Sequence, residues 1–178
     1  MRPIKFFIAT TADGMIARAD GEVDWFLRMN EGQNSDFYDK VDTLIMGRKT
    51  FEKILARGPW PYTGKKTYVF SSQLKNQYGP EVEIVSRDPA TFVESLKEKP
   101  GQEIWLVGGA ELARSLMSEQ LVDEVILDIH PQMLGNGIQL YPLPLHSMFW
   151  EMTESQELGS SLVRVRYRLR TADIPVDE

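Results

Sequence analysis

The feature that most constrains the fold is a series of short apolar runs, each closed by a glycine, a serine or another turn residue. Ile4–Ala9 is apolar apart from Lys5, and other runs of this kind are Thr43–Met46, Thr67–Phe70, Val82–Val85, Glu103–Val107 and Glu124–Ile129. Short, continuous apolar runs are typical of strands buried on both faces of a parallel sheet. Segments with helical spacing lie between them, such as Phe51, Ile54 and Leu55 at i, i+3 and i+4. Strands alternating with helices predict an α/β fold with a mostly parallel central sheet.

The C-terminal part of the chain predicts an antiparallel edge. Trp150–Leu158 and Leu162–Leu169 resemble a closing strand pair, and arginines alternate along the second run, at Arg164, Arg166, Arg168 and Arg170. This spacing places all of them on one strand face. We interpret them as a solvated edge that resists aggregation; a dimer contact or a docking place for a phosphorylated substrate is the alternative. We expect one domain over residues 1–170 and a frayed tail over 171–178.

Composition excludes several classes of function. The chain has no cysteine and 2 histidines, which excludes disulfides, thiolate nucleophiles and cysteine-based zinc sites, and we expect no metal. The net charge of −6 argues against nucleic-acid binding. No apolar run approaches the roughly 20 residues that span a bilayer, and we find no export signal, so we expect a cytoplasmic protein without membrane contact.

Unusual residues gather where the predicted strands end, which is where open α/β sheets bind ligands. Gly47 allows close backbone approach, Arg48 and Lys49 add positive charge, and Thr50 is placed to cap the next helix. This pattern indicates a phosphate site at a helix N-terminus. A solvated helix start with surface cations is the alternative.

Further strand ends carry similar signals. Gly108-Gly109 between a buried strand and a helix would let a pyrophosphate lie on the helix N-terminus, although a plain turn explains the same residues. Ser71, Ser72 and Arg87 follow two neighbouring strands, and Arg87 can grip a phosphate bidentately. Each is ordinary loop chemistry alone, but together they favour an anion site.

Longer segments resemble the dihydrofolate-reductase superfamily in order and spacing. They are Asp13–Ala17, Leu44–Glu52, Val69–Ser72 and Ile104–Ala110. Leu121–Val125 and Pro131–Gly137 make the chain more similar to the reductase domain of riboflavin biosynthesis. The resemblance implies a three-layer dihydrofolate-reductase-like fold and NADPH-dependent reduction of 5-amino-6-(5-phosphoribosylamino)uracil, a small phosphorylated aminopyrimidine. The zinc-deaminase signature is absent, so we expect no deaminase activity.

The chain departs from these families at two positions. Val107 stands where the riboflavin reductases usually carry an acid. The acid that binds pterin in folate reductases aligns with Gln33 or Asn34, and with Glu31 only if the helix is aligned without a gap. A folate reductase and a non-catalytic nucleotide-binding module therefore stay as alternatives.

The resemblance also assigns cofactor residues. The nicotinamide would lie against the backbone of Ala9, Ile16 and Ala17. The 2′-phosphate would be surrounded by Arg48, Ser71, Ser72 and Arg87. The pyrophosphate would be held by Gly47, Lys49, Thr50, Gly108, Gly109, Ala110, Glu111 and Leu112.

The substrate would sit between the Asp13–Trp25 loop and a helix around Asp36–Val41. Trp25 is the candidate apolar wall and Trp60 a rim, with core packing or surface cover as the alternative for both. The candidate proton donors are Asp24, Glu31 and Asp36, and a water is the alternative. We interpret His130 and His146 as structural. Relatives in this branch are often dimers, so we expect a homodimer.

Overall fold

The structure is a computed structural model that describes residues 1–26, 34–75 and 77–170. The strands are β1 (Ile4–Thr11), β2 (Met15–Ala17), β3 (Val41–Gly47), β4 (Lys66–Phe70), β5 (Val82–Val85), β6 (Glu103–Gly108), β7 (Glu124–His130), β8 (Ile138–Gln139), β9 (Trp150–Gly159) and β10 (Leu162–Leu169). The helices are α1 (Ser35–Lys40), α2 (Arg48–Ala56), α3 (Pro89–Lys97) and α4 (Ala110–Ser118). None of these helices is long and apolar enough to cross a membrane.

Eight strands form the central sheet in the order β5-β4-β3-β6-β1-β7-β10-β9. The pairs from β5 to β7 are all parallel, whereas β10 is antiparallel to both β7 and β9. The predicted α/β class, with its mostly parallel sheet and antiparallel C-terminal edge, is therefore confirmed. The carboxyl ends of the parallel strands share one edge of the sheet.

Two hydrophobic clusters cover the two faces of the sheet. Phe6 and Leu106 face a cluster that includes Val93 of α3 and Leu116 of α4. The opposite face packs against α1 and α2, and its members are Phe7, Phe37, Val41, Leu44, Met46, Phe51, Val69, Trp105 and Ile126. The chain therefore forms the expected three layers, with the sheet in the middle.

Helix α3 begins as its sequence predicts. Asp88 is the N-cap, its carboxylate accepts a hydrogen bond from the Thr91 amide at 2.9 Å, and Pro89 is the first helical residue. The missing N–H of Pro89 costs nothing there, because the first amides of a helix have no partner inside it.

The prediction of a solvated arginine edge is wrong for Arg164 and for the place of the strand in the sheet, whereas Arg168 and Arg170 are exposed as predicted. Strand β9 is the edge, β10 lies inside it, and Arg164 is only 5% exposed. The physical reason is charge pairing: Arg164 lies opposite Asp128 of β7, and Arg166 pairs with Glu124 and Glu154. The arginines do alternate along a strand, but the side chain of Arg164 is buried and does not face solvent.

A second, two-stranded sheet was not predicted. Strand β2 pairs with β8, with Met15 opposite Gln139 and Ala17 opposite Ile138. Residues 171–178, predicted to be a tail, lie outside the described residues.

Candidate cofactor site

Two glycines meet at the carboxyl edge of the sheet. Gly47 ends β3 and is the N-cap of α2, and Gly109 follows β6 and is the N-cap of α4. A Cβ atom added to Gly47 would lie 3.7 Å from the Gly109 amide nitrogen. The two helix starts are therefore side by side, with bare backbone between them.

The start of α2 differs from the prediction. Thr50 does not cap the helix, because the helix begins at Arg48 and Thr50 lies inside its first turn. Its hydroxyl instead faces the neighbouring turn, since a Cβ on Gly109 would lie 3.3 Å from Thr50 Oγ1. As the N-cap is a glycine, no N-cap side chain competes for the first amides of α2.

Helix α4, like α2, begins with a glycine as its N-cap. Gly109 is its N-cap, and the φ of +125° at Gly108 is one that residues with a side chain rarely adopt. Glu111 pairs with Arg114 at 3.0 Å, and Leu112 is buried in the core. Only backbone groups of these residues are thus well placed toward the edge. Amides at two adjacent helix starts are suited to an anion.

Beside α2 the edge contains a pocket of about 370 Å³. Four predicted residues line it together: Arg48, Ser71, Ser72 and Arg87. The structure therefore brings together residues that lie up to 39 positions apart in the chain. The other lining residues are Phe70, Gln73, Val85, Ser86 and Pro89.

Both guanidinium groups at this pocket are oriented by neighbours. Arg48 pairs with Glu52 one helical turn away, at 3.1 Å. The Arg87 guanidinium lies 5.7 Å from the centre of the Phe92 ring. Two cations beside serine hydroxyls form a site with the chemistry of a phosphate receptor.

The residues predicted to meet the nicotinamide lie further along the same edge. Ala9 is half-buried near the end of β1, Ile16 is half-buried in β2, and Ala17 is buried. Because β2 is paired with β8, this part of the Asp13–Trp25 loop is a strand whose backbone is hydrogen-bonded to a partner strand. All three residues therefore lie in strands, Ala9 in β1 and the other two in β2.

The predicted substrate residues have different outcomes. Trp25 is buried, and its indole nitrogen has no hydrogen-bond partner among the described residues. Asp24 is exposed and accepts a hydrogen bond from Arg18 at 2.6 Å, which lowers its pKa. Asp36 is exposed in the first turn of α1, and Glu31 lies outside the described residues. Neither Asp24 nor Asp36 is buried.

Trp60 is half-buried and packs against the hydrophobic cluster on the α1–α2 face of the sheet. Its ring lies 5.5 Å from that of Phe51 and 5.2 Å from that of Tyr62, both measured between centroids. Burial raises the pKa of Tyr62 to about 12. These contacts agree with the packing alternative for Trp60, and its place at the rim of a substrate site stays a prediction.

A buried ion pair was missed by the sequence reasoning. Arg164 donates to both carboxylate oxygens of Asp128, at 2.7 and 2.8 Å, and to Asn34 Oδ1 at 2.6 Å. Its guanidinium lies 4.7 Å from the centre of the Phe7 ring. Asp128 is 2% exposed and lies opposite Ala9 in the register of β1 and β7. A charged pair therefore borders the region where the substrate was expected.

His130 belongs to an aromatic cluster at the end of β7. Its ring centroid lies 5.1 Å from Trp25 and 4.9 Å from Phe26. Burial lowers the pKa of His130, and the carboxylate of Asp128 opposes that shift. His130 lies opposite Thr11 in the sheet, so the cluster joins the loop after β2 to the ligand edge.

Comparison with known proteins agrees with this geometry. A profile of the RibD C-terminal domain matches residues 2–164. The chain belongs to the RibD C-terminal domain family. It is 40% identical to the Bacillus subtilis "Uncharacterized protein YwjB" over 144 residues, covering 79% of this chain and 83% of YwjB. It is 32% identical to "Uncharacterized protein YyaP" of the same organism over 178 residues, covering 93% and 94%.

Solved structures of this family have the same fold. The "Putative riboflavin biosynthesis protein" of Shewanella sp. PV-4 superposes with a TM-score of 0.83 at 27% identity, covering 96% of this chain and 99% of that one. The Thermotoga maritima deaminase/5-amino-6-(5-phosphoribosylamino)uracil reductase has a TM-score of 0.71 at 16% identity, covering 95% of this chain and 57% of the bifunctional protein. The predicted likeness to RibD-type reductases is confirmed.

Proposed function

We propose that this chain is an NADPH-dependent reductase of a small molecule, similar to the 5-amino-6-(5-phosphoribosylamino)uracil reductase of riboflavin biosynthesis and without deaminase activity. The observation that carries the proposal is the close approach of Gly47 to Gly109. It places two glycine-capped helix starts beside a pocket lined by Arg48 and Arg87. Membership of the RibD C-terminal domain family supports it.

The residues present fit the pyrophosphate and 2′-phosphate of NADPH. A pyrophosphate needs backbone amides that approach closely, and the starts of α2 and α4 supply them without a capping side chain. A 2′-phosphate needs additional donors, and Arg48 and Arg87 line one pocket with Ser71 and Ser72. This set of donors favours NADPH over NADH.

When bound, the cofactor supplies the hydride, and the chain supplies position and exclusion of water. The backbone of Ala9, Ile16 and Ala17 would orient the nicotinamide. Trp25, packed against His130, would exclude water from the substrate side. The buried Asp128–Arg164 pair would border the substrate.

The test is oxidation of NADPH followed at 340 nm with the purified chain and separate acceptors: the aminopyrimidine, dihydrofolate and a quinone. We expect oxidation with the aminopyrimidine, and a separate assay of ammonia release should show no deamination. Tight NADPH binding without oxidation by any acceptor would instead favour a non-catalytic nucleotide-binding module. Failure to bind NADPH would overturn the proposal.

Folate reduction is the second candidate, because the chain is 29% identical to the Caenorhabditis elegans "Putative dihydrofolate reductase" over 137 residues. Tight binding of a methotrexate-type inhibitor, together with dihydrofolate turnover, would favour it over the aminopyrimidine reductase. The expected homodimer and cytoplasmic location stay predictions.

A further inference from the structure

We propose that Asp13 is a positioning residue that fixes the backbone against which the nicotinamide binds. The inference rests on the proposed NADPH-dependent function and deepens it. Asp13 would act through Ile16 and Ala17 of β2 and would not itself touch the cofactor.

The Asp13 carboxylate joins two distant segments of the chain. One oxygen accepts a hydrogen bond from the Thr11 hydroxyl at 2.5 Å. The other accepts from the backbone amides of Gly135 at 2.7 Å and Leu134 at 3.0 Å. These bonds, that from Thr11 first, lower the pKa of Asp13, so the group that makes them is the charged carboxylate. Hydrogen bonds to an ionised acceptor are stronger than neutral ones.

We call the Asp13 carboxylate and its hydrogen bonds to Thr11, Leu134 and Gly135 the clamp. On one side, the clamp defines the turn that leads into β2. The Thr11 hydroxyl, which donates to Asp13, also accepts from the Met15 amide at 2.9 Å. The Gly14 amide donates to the Thr11 carbonyl at 2.9 Å, and Gly14 has a φ of +77°. Thr11 is only 1% exposed at the end of β1, so the turn is anchored to the central sheet.

On the other side, the clamp holds the segment that pairs with β2. Gly135 lies in the turn before β8, whose residues lie opposite Met15 and Ala17. The Leu140 amide donates to the Gly14 carbonyl at 2.9 Å. Gly137 is in such close contact that a Cβ there would lie 2.3 Å from the Ala17 carbonyl oxygen.

These contacts make β2, β8 and both turns one rigid unit, with Asp13 bridging its two halves. Small displacements of a positioning group are costly in a hydride-transfer site, because donor and acceptor must be aligned closely. Removing the carboxylate would free the turn at Gly135 from the turn at Asp13 and let β2 shift. The 2′-phosphate pocket shares no lining residue with this unit and would keep its geometry.

The experiment compares calorimetric dissociation constants for NADPH and for adenosine 2′,5′-bisphosphate, a fragment that has no nicotinamide. We expect Asp13→Ala to weaken NADPH binding by about tenfold and to leave binding of the fragment unchanged. The reason is that the backbone that orients the nicotinamide loses the charge-assisted hydrogen bonds that hold it in place. Asp20→Ala is the matched control, because Asp20 is an exposed acid of the same loop. It should bind both ligands as the unmutated chain does.

The outcomes separate this inference from the proposed function. If the unmutated chain binds neither ligand, the proposed function fails. If it binds both and Asp13→Ala binds NADPH equally well, the positioning role is wrong. Parallel losses for NADPH and the fragment would show a general structural role and would also overturn it.

A second variant perturbs the same contact between β2 and β8 from the β8 side. Gly137→Ala leaves Asp13 intact but crowds the Ala17 carbonyl. It should also weaken NADPH selectively over the fragment. If circular dichroism shows that Asp13→Ala does not fold, the same dissociation constants are measured for Asp13→Asn and Gly137→Ala. NADPH affinity equal to that of the unmutated chain in both variants would contradict the inference.

Discussion

Gly47 and Gly109 lie so close across β3 and β6 that a Cβ on the first would be 3.7 Å from the amide nitrogen of the second. Each is the N-cap of a helix, so two helix N-termini share one bare stretch of backbone. The positive ends of two helix dipoles therefore converge at the same edge of the sheet. This convergence is the physical basis for placing a pyrophosphate there.

Gly109→Val should abolish NADPH binding while the fold survives. A Cβ at this position already lies 3.3 Å from Thr50 Oγ1, and the further methyl groups of valine would fill the space above the helix start. Calorimetry measures the binding, and a thermal melt measures the fold. A variant that binds NADPH with unmutated affinity would show that the diglycine is only a turn.

Arg48→Ala should weaken NADPH more than NADH. A hydrogen bond to a charged group contributes about 1.5–3 kcal/mol, so the expected loss for NADPH is roughly 10- to 100-fold. Arg57→Ala is the matched control, because Arg57 is an exposed arginine at the other end of α2. Equal losses for the two coenzymes in Arg48→Ala would remove the 2′-phosphate assignment.

Asp128→Asn should lower the free energy of unfolding by about 3–5 kcal/mol, because it removes the negative charge from the buried ion pair with Arg164. Glu154→Gln is the control: its pair with Arg166 has a 54% exposed carboxylate, and such pairs contribute about 0–1 kcal/mol. Urea denaturation measures both. Equal effects would contradict the stabilising role of the buried pair.

Stability should decline as pH falls below 6.5. Burial lowers the folded-state pKa of His130 from 6.5, so the unfolded chain binds a proton there before the folded chain does. The contribution is present above pH 6.5 and is lost as pH falls toward the lowered value. His130→Gln should reduce this dependence in urea midpoints measured across pH, whereas His146→Gln, at an exposed position, should retain it. An unchanged profile in His130→Gln would refute the assignment to His130.

The sequence predicts the sheet well because its main signal is local. Apolar runs such as Ile4–Ala9 record burial on both faces, and the glycines that close them mark the ligand edge. Parallel strands then bring Arg48 and Arg87 to one pocket without any long-range information. The helix start at Arg48 was misplaced because Thr50 is the better N-cap residue, whereas tertiary packing selects Gly47.

The substrate side is less predictable because its contacts are distant in sequence. Arg164 looks like a member of a solvated row until its partner Asp128, on the neighbouring strand, is known. One signal was available: Asp128 interrupts the apolar run of β7, and a lone acid in a buried strand requires a partner. Strands as short as β8 carry no such signal, so the clamp at Asp13 needed the structure.

Calorimetric titration of the unmutated chain with NADPH and with NADH tests the central claim most directly. The account predicts saturable heat with NADPH and binding of NADH that is weaker by roughly tenfold or more, since only NADPH carries the phosphate that Arg48 and Arg87 would bind. Absence of heat with both coenzymes would contradict the account.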